Sequence, residues 1–144
     1  MDRPPATPDP GSSRPVRRRR RLALAVAALL TIGVGLGVHF GASGAAADFA
    51  GDALYAVLVY LVVAAIAPRL RSVRVGAIAF GLCAAVECFQ LTGVPQSISA
   101  GFPAAALLLG STFSPVDLLA YAAGIVVITA LDASALTVRR SRHT

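Results

Sequence analysis

Four apolar stretches, residues 22–40, 50–67, 75–94 and 116–135, dominate the chain, and Arg clusters occupy only some of the gaps around them. Crossing a bilayer as a helix takes about 20 predominantly apolar residues. In lipid, every backbone N–H and C=O must find a partner inside the protein, so a chain with four such stretches is driven to a helical bundle. The expected fold is therefore all-α: a polytopic membrane protein with a bundle of four transmembrane helices. Composition agrees, since 56% of the 144 residues are hydrophobic, above the range usual for soluble domains.

The Arg clusters fix the expected topology. They stand before the first stretch (Arg17–Arg21), between the second and third (Arg69, Arg71, Arg74) and after the fourth (Arg139, Arg140, Arg142). Four crossings put all three on one side, and basic loops mark the cytoplasmic face, so both termini are expected there. This placement also accounts for the net charge of +6 without nucleic acid, for which no motif is present. All thirteen basic residues are Arg and the chain is Ala-rich, a composition that points to a GC-rich bacterial genome and hence to a bacterial plasma membrane.

The expected organisation has three parts. Residues 1–21, rich in Pro and Arg, cannot build a core and are expected to form a disordered basic tail, able to lie on anionic headgroups. Residues 22–138 form the transmembrane domain, and residues 139–144 a second basic tail. The first span carries Gly33, Gly37 and Gly41, a repeat that leaves a smooth face for close helix approach. It could alternatively be a signal peptide cleaved after Ala45–Ala47, but its apolar stretch is long for one. Within the uncharged connection 95–115, residues 103–109 are apolar, helix-compatible and too short to cross, as a re-entrant or interfacial helix would be.

Polar residues inside the apolar segments are the candidates for function. Glu87 lies about twelve residues into the third span, roughly 18 Å from its start at ~1.5 Å per residue. A carboxylate at that depth is costly unless paired, hydrated or protonated, and defaults to a functional residue; the structural alternative is a hydrogen-bonding link between helices. Gln90 is one turn further on and shares its face. Asp117, Tyr121 and Gly124 share a face of the fourth span. Ser114-Pro115-Val116-Asp117 also has the form of a capping box. Asp52 is expected in the first turn of the second span, where an acid complements the helix dipole, with Tyr60 eight residues on along its face. The candidate polar site is thus Asp52, Tyr60, Glu87, Gln90, Asp117 and Tyr121, in the outer half of the bundle. Asp132 alone lies toward the inner end. Were Asp52, Glu87 and Asp117 to converge, a proton or a cation would have to sit among them.

No nucleophile elbow, Walker loop, zinc motif or redox Cys pair occurs. Cys83 and Cys88, five residues apart on one helix, cannot pair and read as packing residues. No cofactor or metal is expected, and the balance leans away from an enzyme.

Gly51-Asp52, Tyr60, Glu87-Cys-Phe-Gln90 and the stretch from Gly110 to Gly124 resemble a family of small bacterial membrane proteins known as domain of unknown function 2809, over about residues 51–125. More distantly, Glu87, Gln90, Asp117 and Gly124 resemble the VanZ-like family, linked to teicoplanin resistance. Here the position of that family's Asn is Tyr121, and no Arg stands near Gly110 and Ser111. The resemblance implies a non-enzymatic cell-envelope protein that alters how the surface meets lipoglycopeptides. Two other classes remain open on the residues alone. One is an intramembrane enzyme using Glu87 or Asp117 as general acid/base on a lipid-linked substrate. The other is a proton or ion pathway formed by a homo-oligomer. The expected partners are the lipid bilayer, a second copy of the chain and a lipid-linked envelope ligand.

Overall fold

The computed structural model describes residues 14–102, 104 and 113–141. Among the described residues five helices follow in order: α1 Arg14–Gly41, α2 Ala45–Ile66, α3 Ser72–Gln90, α4 Val94–Gly101 and α5 Pro115–Ser141. Four of them contain segments long and apolar enough to cross a membrane: Arg18–Gly41, Ala45–Ile66, Ser72–Gln90 and Pro115–Ala135. No strand occurs among the described residues. The protein is an all-helical, multi-pass membrane protein. The turn between α2 and α3, the start of α1 and the end of α5 lie together at one end, called here the basic end. Arg20 reaches Pro68 and Asp132 there. The opposite end, where α1 turns into α2 and α3 leads to α5, carries Asp48, Asp52, Glu87 and Asp117.

Element boundaries depart from the sequence reading in instructive places. Residues 14–21, expected in the disordered tail, form the first turns of α1. A helix already nucleated by an apolar span propagates cheaply into Arg, a good helix former. α2 begins at Ala45 rather than 50, because Gly44, at φ 95°, takes the turn and the Ala run behind it is strongly helical. Asp48 therefore lies in the first turn of α2 and caps nothing, and Asp52 lies a turn further in. α3 stops at Gln90, four residues short of its expected end, since Gly93 adopts the left-handed conformation at φ 73°. Pro95 then starts α4, within the connection expected to be a loop. The expected short helix 103–109 lies outside the described residues, Ala104 excepted.

The core is built from α2, α3 and α5, with small residues at the crossings. Ala56, Tyr60, Leu61 and Ala64 of α2 are buried against Val75, Ala79 and Cys83 of α3 and Tyr121 and Ile125 of α5. Lipid tails are as apolar as these side chains, so close van der Waals packing holds the helices together. Gly124 is the tightest crossing: a Cβ there would run into the Ala53 carbonyl oxygen and lie 3.2 Å from its Cα. Gly76 sits similarly over Thr129 and Ile125. Gly33 and Gly37, by contrast, face nothing within 4 Å, so α1 does not use its Gly repeat to approach another described helix of this chain. α1 packs chiefly on α2, and Leu24 is its one buried side chain among the described residues.

Candidate functional site

Glu87 sits at full burial where α3 faces α5. Two donors from the far side of the bundle meet its carboxylate. The Tyr121 hydroxyl donates to Oε1 at 2.8 Å, and the Ser114 backbone N–H donates to Oε2 at 3.2 Å. The second bond explains why no capping box closes at α5. In that motif Asp117 would reach back to the N–H of Ser114, but Glu87 from α3 already holds it. Asp117 instead lines the same cavity as Asp52 of α2. Tyr121 joins the two features: its hydroxyl is bonded to Glu87, and it lines the same cavity as both aspartates.

Carboxylates lining one space outside bulk water repel each other, which favours a proton or a cation among them. Among the described residues, no three His, Cys, Asp or Glu side chains are gathered closely enough to hold a metal ion. The arrangement suits a shared proton, or the positively charged or proton-donating group of a ligand.

This cavity has a volume of about 880 Å³, within the size range of small-molecule sites. Its polar wall is Asp48, Asp52 and Tyr55 of α2, Gln90 of α3, and Asp117 and Tyr121 of α5. Its other wall is α1, which contributes Ile32, Leu36 and Val38, with His39 near the rim. Tyr55 and Tyr121 lie side by side, ring centroids 6.1 Å apart. Neither Lys nor Arg lines the cavity among the described residues.

Asp52, Glu87, Gln90, Asp117 and Tyr121 are all at this acidic end. Tyr60 is not. It is fully buried at the other end of α2, where its hydroxyl donates to Asp132 Oδ2 at 2.9 Å. Sharing a face with Asp52 does not mean sharing a depth: eight residues separate them by about 12 Å along a helix. Asp132 Oδ2 also accepts from Ser72 Oγ at 2.7 Å and pairs with Arg20 Nη2 at 3.5 Å, while Arg20 Nη1 donates to the Pro68 carbonyl at 2.7 Å. This second polar cluster, with Arg20, Ser72 and Asp132 absent from the expected site, ties α1, α2, α3 and α5 together. The signal that could have found it is an intramembrane acid one helix end away from an Arg run. Between the two clusters the bundle is filled by Ala56, Ala79, Cys83 and Ile125.

Residues 41–125 match the family model described as "Protein of unknown function (DUF2809)". The chain belongs to this family. No curated protein and no solved structure matches it. The DUF2809 match spans α2 to the first part of α5, so it contains Asp52, Glu87, Gln90, Ser114, Asp117, Tyr121 and Gly124. Arg20 and Asp132 lie outside it. The acidic-end cluster and cavity floor are thus contained within the DUF2809 region, whereas the basic-end clasp and the α1 wall are built from both inside and outside it.

Proposed function

We propose that this DUF2809 protein is a cell-envelope binding protein of the bacterial plasma membrane, with both termini cytoplasmic and the acidic end outward. Its cavity receives a membrane-borne ligand with a positively charged or hydrogen-bond-donating head and an apolar body. The observation that carries the reading is the pairing of two unlike walls around one space: the carboxyl groups of Asp52 and Asp117 on one side and the apolar residues of α1 on the other. A phosphate or sulfate head would meet three aspartates and no Lys or Arg, so charge favours an amine-bearing amphiphile, such as an envelope lipid with an amine in its headgroup. The two tyrosines add faces that attract a cation. Lipid mass spectrometry on the purified protein tests this: amine-headed lipids should co-purify above their membrane share, and Asp52→Asn/Asp117→Asn should abolish the enrichment. Equal enrichment in that variant would sink the proposal.

The VanZ-like reading is compatible with this one. Glu87, Gln90, Asp117 and Gly124, the positions of that resemblance, sit at the same end as the cavity, and teicoplanin resistance is an outer-surface property. Raised teicoplanin tolerance on expression in a sensitive bacterium, lost in Glu87→Gln, supports it; unchanged tolerance with confirmed membrane expression removes it. A proton or ion pathway through one copy is disfavoured by the apolar packing between the two polar clusters. Acid/base catalysis would use the Asp52–Asp117 pair rather than Glu87, whose oxygens are already engaged.

A further inference from the structure

The two halves of α1 are held very differently. Its basic half is gripped: Arg20 is bound to Pro68 and Asp132, and Leu24, Ala27 and Ala28 belong to or pack on the core. Its acidic half has no buried side chain among the described residues. There Ile32, Leu36, Val38 and His39 face the open cavity.

Features that soften a helix begin where the halves meet and run into the acidic half. Thr31 Oγ1 bonds back to the Ala27 carbonyl at 2.9 Å, a bond that competes with the helix ladder and bends helices. Gly33, Gly35 and Gly37 follow within six residues, each weakening the helix by about 1 kcal/mol relative to Ala. None of the three is required for close packing, since an added Cβ at each would meet nothing within 4 Å. At its far end α1 joins α2 through a short turn containing Gly44 in a left-handed conformation.

We propose that the acidic half of α1 is a hinged wall: it bends about Thr31–Gly37, with Arg20 and Leu24 fixed, and admits the ligand sideways from the bilayer. This rests on the cavity being the binding site. A lipid-borne ligand needs a lateral entrance, and among the described helices that line the cavity α1 is the one whose lining half lies outside the core.

Spin-label distances in lipid nanodiscs test the hinge, in a Cys83→Ala/Cys88→Ala background. One pair, Phe40→Cys with Leu119→Cys, spans the acidic end; the other, Leu22→Cys with Leu131→Cys, spans the basic end, all four positions being exposed. The acidic-end distribution should be at least twice as broad as the basic-end one. Gly33→Ala/Gly35→Ala/Gly37→Ala should narrow it to the basic-end width and slow dodecylammonium association severalfold. An acidic-end distribution as narrow as the basic-end one, or a triple variant with unchanged width, overturns the hinge. If dodecylammonium binds the triple variant at the wild-type rate, entry by bending fails while the binding site stands. If it binds no form of the protein, the binding reading fails and the entry role with it.

Discussion

Tyr121 donates its hydroxyl to Oε1 of Glu87 at 2.8 Å, across the α3–α5 contact and with Glu87 fully buried. This bond makes Glu87 a fixed element of the bundle and leaves Asp48, Asp52 and Asp117 as the carboxyl groups facing the cavity. One acid is structural and three face the cavity.

Tyr121→Phe leaves one oxygen of a buried carboxylate without its donor, at a cost of about 1–3 kcal/mol. Glu87→Gln should cost a comparable amount, and the double variant clearly less than the sum. A double-mutant cycle on SDS-induced unfolding reads this coupling. Strict additivity would mean that the two side chains do not interact.

Gly124→Ala should destabilise the bundle by about 1–3 kcal/mol, because the new methyl meets the Ala53 backbone rather than a side chain that can move. Gly33→Ala and Gly37→Ala should be neutral or slightly stabilising in the monomer, given open space at both positions. Thermal unfolding of the three purified variants checks the contrast. A Gly37→Ala protein destabilised as much as Gly124→Ala would show that α1 packs on a second copy.

Asp132→Ala removes the common acceptor of Tyr60, Ser72 and Arg20. The expected loss is about 2–4 kcal/mol, since three donors lose one partner. Tyr60→Phe alone should cost about 0.6 kcal/mol, typical of an interhelical hydrogen bond in lipid. Dodecylammonium affinity should be unchanged in Tyr60→Phe, because Tyr60 is outside the cavity. An affinity loss there would couple the two ends of the bundle.

With the acidic end outward, a single cysteine at Ser43, in the α1–α2 turn, should react with an impermeant maleimide added to intact cells. One at Arg71, in the α2–α3 turn, should react only after permeabilisation. Both are read in the Cys83→Ala/Cys88→Ala background by gel shift. The reverse pattern would invert the topology.

The bundle is legible in the sequence because lipid leaves helices few alternatives: hydropathy marks four spans, and Arg20 meets the Arg-bearing α2–α3 turn at one end of the structure. The site is legible only helix by helix. Periodicity places Asp117, Tyr121 and Gly124 on one face, yet nothing local says that Glu87 will be what Tyr121 meets. Spatial helix order comes from packing, from the Gly124–Ala53 crossing above all. Tyr60 is misplaced by the same reasoning, since periodicity gives face without depth, and its partner is a residue 72 positions away. Ser114 shows a local signal overridden: a well-formed capping sequence gives its N–H to another helix.

The most direct test of the central claim is equilibrium binding of dodecylammonium to the protein in nanodiscs, corrected for empty nanodiscs and compared with dodecyl sulfate and dodecanol. The account expects dodecylammonium to bind best and dodecyl sulfate worst. Asp52→Asn/Asp117→Asn should weaken dodecylammonium by at least about tenfold, or ~1.4 kcal/mol, with the fold intact by circular dichroism. Equal binding of all three amphiphiles, or undiminished dodecylammonium binding in the double variant, would contradict a carboxyl-based site.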